Sequence, residues 1–254
     1  MNRLKLFFAG VLLVAALLGG LGALGLQRLL PGIGGSQAQV ERIVHNYLLD
    51  NPAILREMME RLQQQENAEA LKAQGDAQAA VPAALPALTT PFGSAWAGNP
   101  KGDVTVTVFM DYACGYCRAS LPALAELIAK DPNVRVIYRE YPVLGEASVT
   151  AARFALAAAQ QGKFRAFHDA LFASDGPSNA AIGAALAKAG LDPAATQKLA
   201  TSEAIAKEID RNHQIGAKLA MNGTPAWVVG RQILYGARDY QALADAVAAA
   251  RKAK

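Results

Sequence analysis

The run Val104-Thr105-Val106-Thr107-Val108-Phe109-Met110 passes directly into Asp111-Tyr112-Ala113-Cys114-Gly115-Tyr116-Cys117-Arg118, and a helical pattern follows through residue 128. A seven-residue stretch that is β-branched and apolar throughout is a central strand buried on both faces. The only two cysteines of the chain therefore stand where a strand turns into a helix. A cysteine at that junction meets unpaired N–H groups and the positive end of the helix macrodipole, both of which favour the thiolate, the nucleophilic form. Cys114 is the expected nucleophile. Cys117 lies one helical turn on, close enough to close a small disulfide ring and expel whatever Cys114 carries, so it is the expected resolving thiol.

Other uses of the pair are weaker. Structural zinc takes about four ligands, and the chain adds only His45, His168 and His213, none at a paired spacing. An inert buried pair is the bland alternative, since free cysteine packs as a small hydrophobe. The two thiolates also suit a soft Cu(I) ion, a possibility compatible with redox chemistry. No other metal site and no cofactor is expected.

Hydrophobic residues make up 52% of the 254, enough for a packed core. The net charge of +4 says little about partners. Arg3, Lys5 and Arg28 precede the first acid at Glu41, and the remaining chain carries 22 basic against 21 acidic residues. With no basic stripe and no interleaved aromatics, nucleic acid is not an expected partner.

Residues 1–30 open on Asn2-Arg3-Leu4-Lys5 and continue in an uncharged run from Leu6 to Gln27, the pattern of an export signal. The run is long for a signal-peptide core and just long enough to span a bilayer. Cleavage near Ser36-Gln37-Ala38 and retention at the inner membrane through residues 6–27 both fit. Either way the basic flank stays cytoplasmic and the rest is delivered outside, so a periplasmic location is expected. A disulfide closing a loop of two residues staples very little, so an exported chain whose sole pair is Cys-x-x-Cys spends it on chemistry.

After the joint Pro31-Gly32-Ile33-Gly34-Gly35, Val40, Ile43, Val44, Tyr47 and Leu48 recur at helical spacing. Asp50-Asn51-Pro52 interrupts them, and Leu55, Met58, Met59 and Leu62 begin a second stripe. Two short amphipathic helices cannot bury both stripes unaided, so residues 39–74 are expected to form a helical self-association domain, making a dimer or trimer. Residues 75–91, with Val81-Pro82, Leu85-Pro86 and Thr90-Pro91, show no periodicity and read as a semi-extended Ala/Pro-rich linker.

The main domain is expected over residues 92–254. A helix with Pro122 as an internal kink follows the dithiol, and Val134-Arg135-Val136-Ile137-Tyr138 is a second strand, giving a β-α-β unit. Residues 147–221 carry only helical signals, over 151–161, 164–172, 180–189, 193–200 and 203–221. Two short apolar runs over 226–229 and 232–235 flank Gly230-Arg231 as a hairpin, and a last helix starts at Tyr240. The order implies an α/β (α+β) thioredoxin-like fold with an inserted helical domain, preceded by a small helical N-terminal domain.

In such an order the proline before the third strand, here Pro225 after Thr224, is expected to be cis and to offer backbone to an extended substrate strand. Gly115 and Tyr116 set the redox poise and complete the expected substrate-binding set with Thr224 and Pro225. No histidine or proline separates the cysteines, so a moderate oxidant is expected. Asp111, Arg118 and Glu140 read as solvated charges near strand ends, with Asp111 also placed to relay the Cys117 proton. His168 and His213 read as surface or core-satisfied.

Phe109-Met110-Asp111-Tyr112-Ala113-Cys114-Gly115-Tyr116-Cys117, Tyr138-Arg139-Glu140-Tyr141-Pro142-Val143-Leu144-Gly145, Gln161-Gly162-Lys163, Phe167-His168 and Gly223-Thr224-Pro225 resemble exported thiol–disulfide oxidoreductases of the DsbA family, over roughly residues 90–250. Tyr47-Leu48-Leu49-Asp50-Asn51-Pro52 is similar to the N-terminal domain of the ScsC-like, copper-sensitivity-suppressor branch, in which that domain can mediate oligomerisation. The Gly-Tyr dipeptide with Thr before the proline resembles disulfide isomerases of the DsbC type. The resemblance implies Cys114 as nucleophile, Cys117 as resolver and Pro225 as the cis-proline. It further implies unfolded or misoxidised exported proteins as substrates, and a membrane redox partner that resets the dithiol. Members that act as oxidants often carry Pro-His between the cysteines, and this chain does not, which sets isomerase character beside a pure donor role.

Overall fold

A computed structural model describes residues 37–253. The export or anchor segment expected over residues 1–30 lies outside them. The chain divides into two compact units, Met1–Asn67 and Ala68–Lys254.

Within the first unit, helix α1 (Gln37–Asp50) ends at Asn51, whose backbone and side-chain amides both donate to the Tyr47 carbonyl, at 3.0 and 2.9 Å. Helix α2 (Ala53–Leu88) begins after this turn. No residue of α1 is buried. Val40, Ile43, Val44, Tyr47, Leu48, Leu55, Met58, Met59 and Leu62 all face solvent. Their spacing builds amphipathic helices whose apolar stripes stay uncovered among the described residues.

The second unit is a five-stranded sheet in the order β1-β3-β2-β4-β5, formed by Trp96–Gly98, Val104–Met110, Val134–Glu140, Ala226–Val229 and Gln232–Tyr235 for β1 to β5. Strand β2 is central, parallel to β3 (Val106↔Val136) and antiparallel to β4 (Val106↔Val229), and six of its seven residues, all but Thr105, are buried, as its uninterrupted apolar run requires. Helix α3 (Gly115–Lys130) crosses from β2 to β3 and packs with α9 (Tyr240–Lys252). Between β3 and β4 lie α4 (Glu146–Gln160), α5 (Phe164–Phe172), α6 (Asn179–Ala189), α7 (Pro193–Ala200) and α8 (Glu203–Lys218). Local chemistry sets their ends: Ser178 and Asp192 accept the N–H of Ala181 and Ala195 as N-caps, and Gly190 closes α6 at φ 66°.

Residues 75–91 correct the expected linker. They are helical as far as Leu88, with Pro82 and Pro86 inside the helix. Ala77, Val81 and Leu88 are buried in one cluster with Phe109, Tyr141, Leu219, Met221 and Val228. The closing carbonyls are met by strand side chains: Thr107 Oγ1 donates to Leu88 at 3.0 Å, Arg135 to Thr89 at 2.9 Å, and Arg139 to Ala87 and Thr90. Each interior proline forfeits a helix hydrogen bond and costs roughly 3 kcal/mol. Full burial of Val81 and Leu88, at roughly 1.5–3 kcal/mol each, offsets most of that, and the carbonyl bonds contribute the remainder.

Candidate active site

Strand β2 delivers Asp111 to the end of the sheet, and Cys114 becomes the N-cap of α3, with φ −82° and ψ 114°. Its sulfur accepts the Cys117 backbone N–H at 3.3 Å, the position a capping oxygen would occupy, and donates to the Thr224 carbonyl at 3.2 Å. Cys114 keeps 7% of its surface open, and Cys117 is fully enclosed. Burial pushes the Cys117 thiol far above its ordinary range, against the pull of the Asp111 amide, which donates to its sulfur at 3.5 Å. The Cys114 sulfur is held between one donor and one acceptor; the Cys117 sulfur is stored as a thiol behind it.

The Thr224-Pro225 bond is cis. The segment that carries it is anchored from beneath: Tyr141 donates its hydroxyl to the Met221 carbonyl and Tyr235 to the Leu219 carbonyl, both at 3.0 Å. The Tyr141 ring lies so close to Gly216 that a Cβ there would sit 2.6 Å from three of its atoms, so α8 needs glycine at this point. Thus the Thr224 carbonyl, 110 residues away in sequence, comes to the Cys114 sulfur. Tyr116, 71% exposed, stands on the outer face of α3, and no atom crowds the position of a Cβ at Gly115.

Asp111 and Glu140 are buried, which corrects their reading as solvated charges. The Asp111 carboxylate takes four donors: the amides of Ala113 (2.8 Å), Val143 (2.8 Å) and Leu144 (3.0 Å) and the Ser148 hydroxyl (2.6 Å). It ties the loop before Cys114 to the loop after β3 and to α4, and its lone pairs are spent on that task. Val143 and Leu144, presented by the same carboxylate, are exposed apolar residues beside the dithiol loop. Behind it Tyr112 Oη lies 3.2 Å from Glu140 and 3.0 Å from His168 Nδ1. Burial raises the Glu140 carboxyl and the Tyr112 phenol well above their usual ranges and drives His168 down to about 3, so the phenol and the imidazole are neutral near pH 7.

Sequence reasoning missed Asp111 as a hub, Ser148 and the Tyr112–Glu140–His168 cluster. For His168 a signal existed, because Phe164 and Phe172 flank it at i−4 and i+4 and place it on the buried aromatic face of α5. For Ser148 there was none.

Comparison with known proteins agrees with this geometry. The profile of the DSBA-like thioredoxin domain matches residues 105–248, and that of the copper resistance protein ScsC N-terminal domain matches residues 37–69. A thioredoxin-like oxidoreductase from Silicibacter pomeroyi is 41% identical with a TM-score of 0.63, covering 66% of this chain and 97% of that one. A linker-deletion variant of Proteus mirabilis ScsC is 27% identical with a TM-score of 0.65, covering 88% of this chain and all of that one. Among curated sequences, the Na(+)/H(+) antiporter NhaA 1 of Salinispora arenicola is 32% identical over 162 residues, 60% of this chain. The chain spans 24% of that antiporter's length.

Proposed function

The chain belongs to the DSBA-like thioredoxin domain family, and on that premise we propose that it exchanges thiols and disulfides in exported proteins through Cys114 and Cys117, with disulfide-isomerase character. The observation that carries this reading is the placement of Cys114 Sγ, 3.3 Å from the Cys117 amide and 3.2 Å from the Thr224 carbonyl, in a residue that keeps 7% of its surface open while Cys117 keeps none.

The Cys114 thiolate attacks one sulfur of a client disulfide. A mixed disulfide forms, the client S–S bond breaks, and the second client sulfur leaves with the electron pair as a thiolate. Two outcomes follow. In shuffling, a client thiolate attacks the mixed disulfide at the client sulfur, a new client disulfide forms and Cys114 leaves as thiolate, with no net oxidation. In reduction, Cys117 loses its proton to solvent and its thiolate attacks Cys114 Sγ; the Cys114–Cys117 disulfide forms, the bond from Cys114 to the client breaks with the client sulfur leaving as a thiolate, the client has then gained two electrons, and an external membrane dithiol must restore the pair. The opposite resting state, with the pair oxidised, would make the chain a disulfide donor.

The high proton affinity of Cys117 favours shuffling, because a resolver that holds its proton leaves the mixed disulfide time to be attacked by the client. The exposed stripe on α1 and the first half of α2 supports self-association, which would set several dithiols around one client and raise their effective concentration. A periplasmic site of action, after export through residues 1–30, is part of the same proposal. The ScsC-type N-terminal match and the two adjacent thiols favour one second reading, Cu(I) held by Cys114 and Cys117 in copper tolerance. Equilibrium competition with a Cu(I) chelator separates the two, since a ligand role requires binding that disappears in Cys114→Ser.

The test of the main reading is turnover of scrambled ribonuclease in a glutathione buffer. Cys114→Ser is expected to abolish refolding activity, and Cys117→Ser to retain shuffling while accumulating mixed disulfides. Full activity in Cys114→Ser would end the proposal.

A further inference from the structure

A groove of about 350 Å³ within the second unit opens beside the dithiol, lined by Ala70, Ala73 and Gln74 of α2, by Thr224 and Pro225, and by Tyr235 and Gly236 at the end of β5, with Ala220, Asn222 and Gly223 completing it. Its lining carries no charge. Its floor is fixed: the Gly236 N–H donates to the Pro225 carbonyl at 2.9 Å, and Trp227 Nε1 donates to the Gly236 carbonyl at 3.0 Å.

β5 is an edge strand, and its backbone explains what the groove is shaped for. Alternate residues of an antiparallel strand turn their N–H and C=O groups to opposite sides. Gly236 faces β4, so Ile233 and Tyr235 face away from it. At Ile233 the free side is already occupied: Gln78 of α2 accepts the Ile233 N–H at 3.3 Å and donates to the Arg231 carbonyl, standing in for a neighbouring strand. At Tyr235, one alternation further, the same side opens onto the groove. There α2 presents Ala70, Ala73 and Gln74, two of them alanines that add little bulk to the groove.

We propose that the Ala70–Gln74 turn of α2 is one wall of a client-binding groove, in which an extended, uncharged segment of a client protein lies along the free side of β5 while its cysteine is joined to Cys114. The occupant is a polypeptide rather than a small molecule for three reasons: the groove runs on from the Thr224 carbonyl that touches Cys114, its lining is neutral, and its floor exposes strand-edge backbone. The inference rests on the thiol-exchange reading and names the substrate class of that site. It also moves residues 68–74 out of the segment expected only to self-associate and into the site.

The reduced full-length protein should be reacted with two disulfides: a short uncharged peptide carrying its cysteine as an activated mixed disulfide, and 2-hydroxyethyl disulfide, which is too small to occupy the groove. Ala73→Phe is expected to lower the ratio of the two rate constants, peptide over small disulfide, by about tenfold, equivalent to about 1.4 kcal/mol. Ala70→Phe repeats the block one turn earlier, so that a folding defect at either position does not shield the idea. Ala79→Phe, on the same helix but outside the groove, should leave the ratio unaltered. An unchanged ratio in folded Ala73→Phe and Ala70→Phe overturns the groove while leaving thiol exchange standing, as does an equal fall in Ala79→Phe. If the unaltered protein reacts with neither disulfide, the thiol-exchange reading fails and takes the groove with it.

Discussion

Helix α2 contains two apolar faces that were not equally visible. Up to Asn67 its stripe is Leu55, Met58, Met59 and Leu62, large side chains at clear helical spacing, all facing solvent. From Ala68 on, the buried positions are Ala77, Val81 and Leu88, set among alanines and two prolines. The first face advertises itself because it is written in large side chains at helical spacing, the signal that periodicity detects. The second lies against its own sheet, where alanine suffices for close approach and the helix end is held by Thr107, Arg135 and Arg139 reaching its carbonyls. Pattern reveals faces that depend on side-chain bulk. It hides faces that depend on backbone contact.

Four measurements would sharpen or break that contrast. The largest effect is expected at the Arg139–Glu208 ion pair, which is buried, spans 2.6 Å and lies beneath the end of α2. Burial lowers the Arg139 pKa and raises that of Glu208, so each charge depends on the other. Arg139→Leu should cost about 3–5 kcal/mol in urea denaturation by leaving Glu208 unpaired, whereas Arg61→Ala, which breaks the exposed Glu57–Arg61 pair in the first stretch of α2, should change nothing measurable. Leu88→Ala should cost about 2–5 kcal/mol. Glutamate at Leu48, Leu55 and Met59 together should instead leave the unfolding midpoint of the second unit where it was and shift the elution of the full chain to that of a single copy. If the triple variant elutes like the unaltered protein, the exposed stripe is not an assembly face.

The third measurement is on pH. His168, driven down to about 3 when folded, binds its proton in the unfolded chain from about pH 6.5, so its contribution is lost as pH falls from 6.5 toward 3, at roughly 1.4 kcal/mol per unit. Glu140, raised when folded, works oppositely, its contribution being present below about pH 4.5 and lost as pH rises. The two slopes oppose each other just above pH 4.5, and below it only that of His168 is left, so stability should fall as pH drops from about 4.5 toward 3. His168→Phe, a shape the ring box of Tyr112, Tyr138, Phe164 and Phe172 accepts, should erase the acid-side fall. The smallest effect, about 1 kcal/mol, is expected for Gln78→Ala, which uncovers the Ile233 amide.

The same contrast explains what was legible elsewhere. Strand β2 was read to the residue because its burial on both faces leaves an uninterrupted apolar run. The spans of α5 and α7 were likewise exact, bounded by Gly162 and by Asp192-Pro193. The dithiol and Thr224-Pro225 were legible because their chemistry demands particular residues. Helix α4 starts five residues earlier than its periodicity suggested, since Gly145 at φ 106° rather than an apolar pattern begins it. Strand β1, three residues long, is too short to carry a period. Asp111 and Glu140 were misread because nothing local says that a charge is enclosed; Val143, Leu144 and Ser148 become partners of Asp111, and Tyr112 of Glu140, only when β3 is laid against β2.

The pairing of β2 with β4 also carries a schedule. A ribosome releases β2, both cysteines and β3 long before it releases Thr224 and the strand after it, so for more than a hundred residues of synthesis Cys114 lacks its carbonyl neighbour and the central strand one of its two companions. The nascent chain therefore carries its thiols without the carbonyl and the strand that come to flank them, and only the arrival of residues 224–229 supplies both.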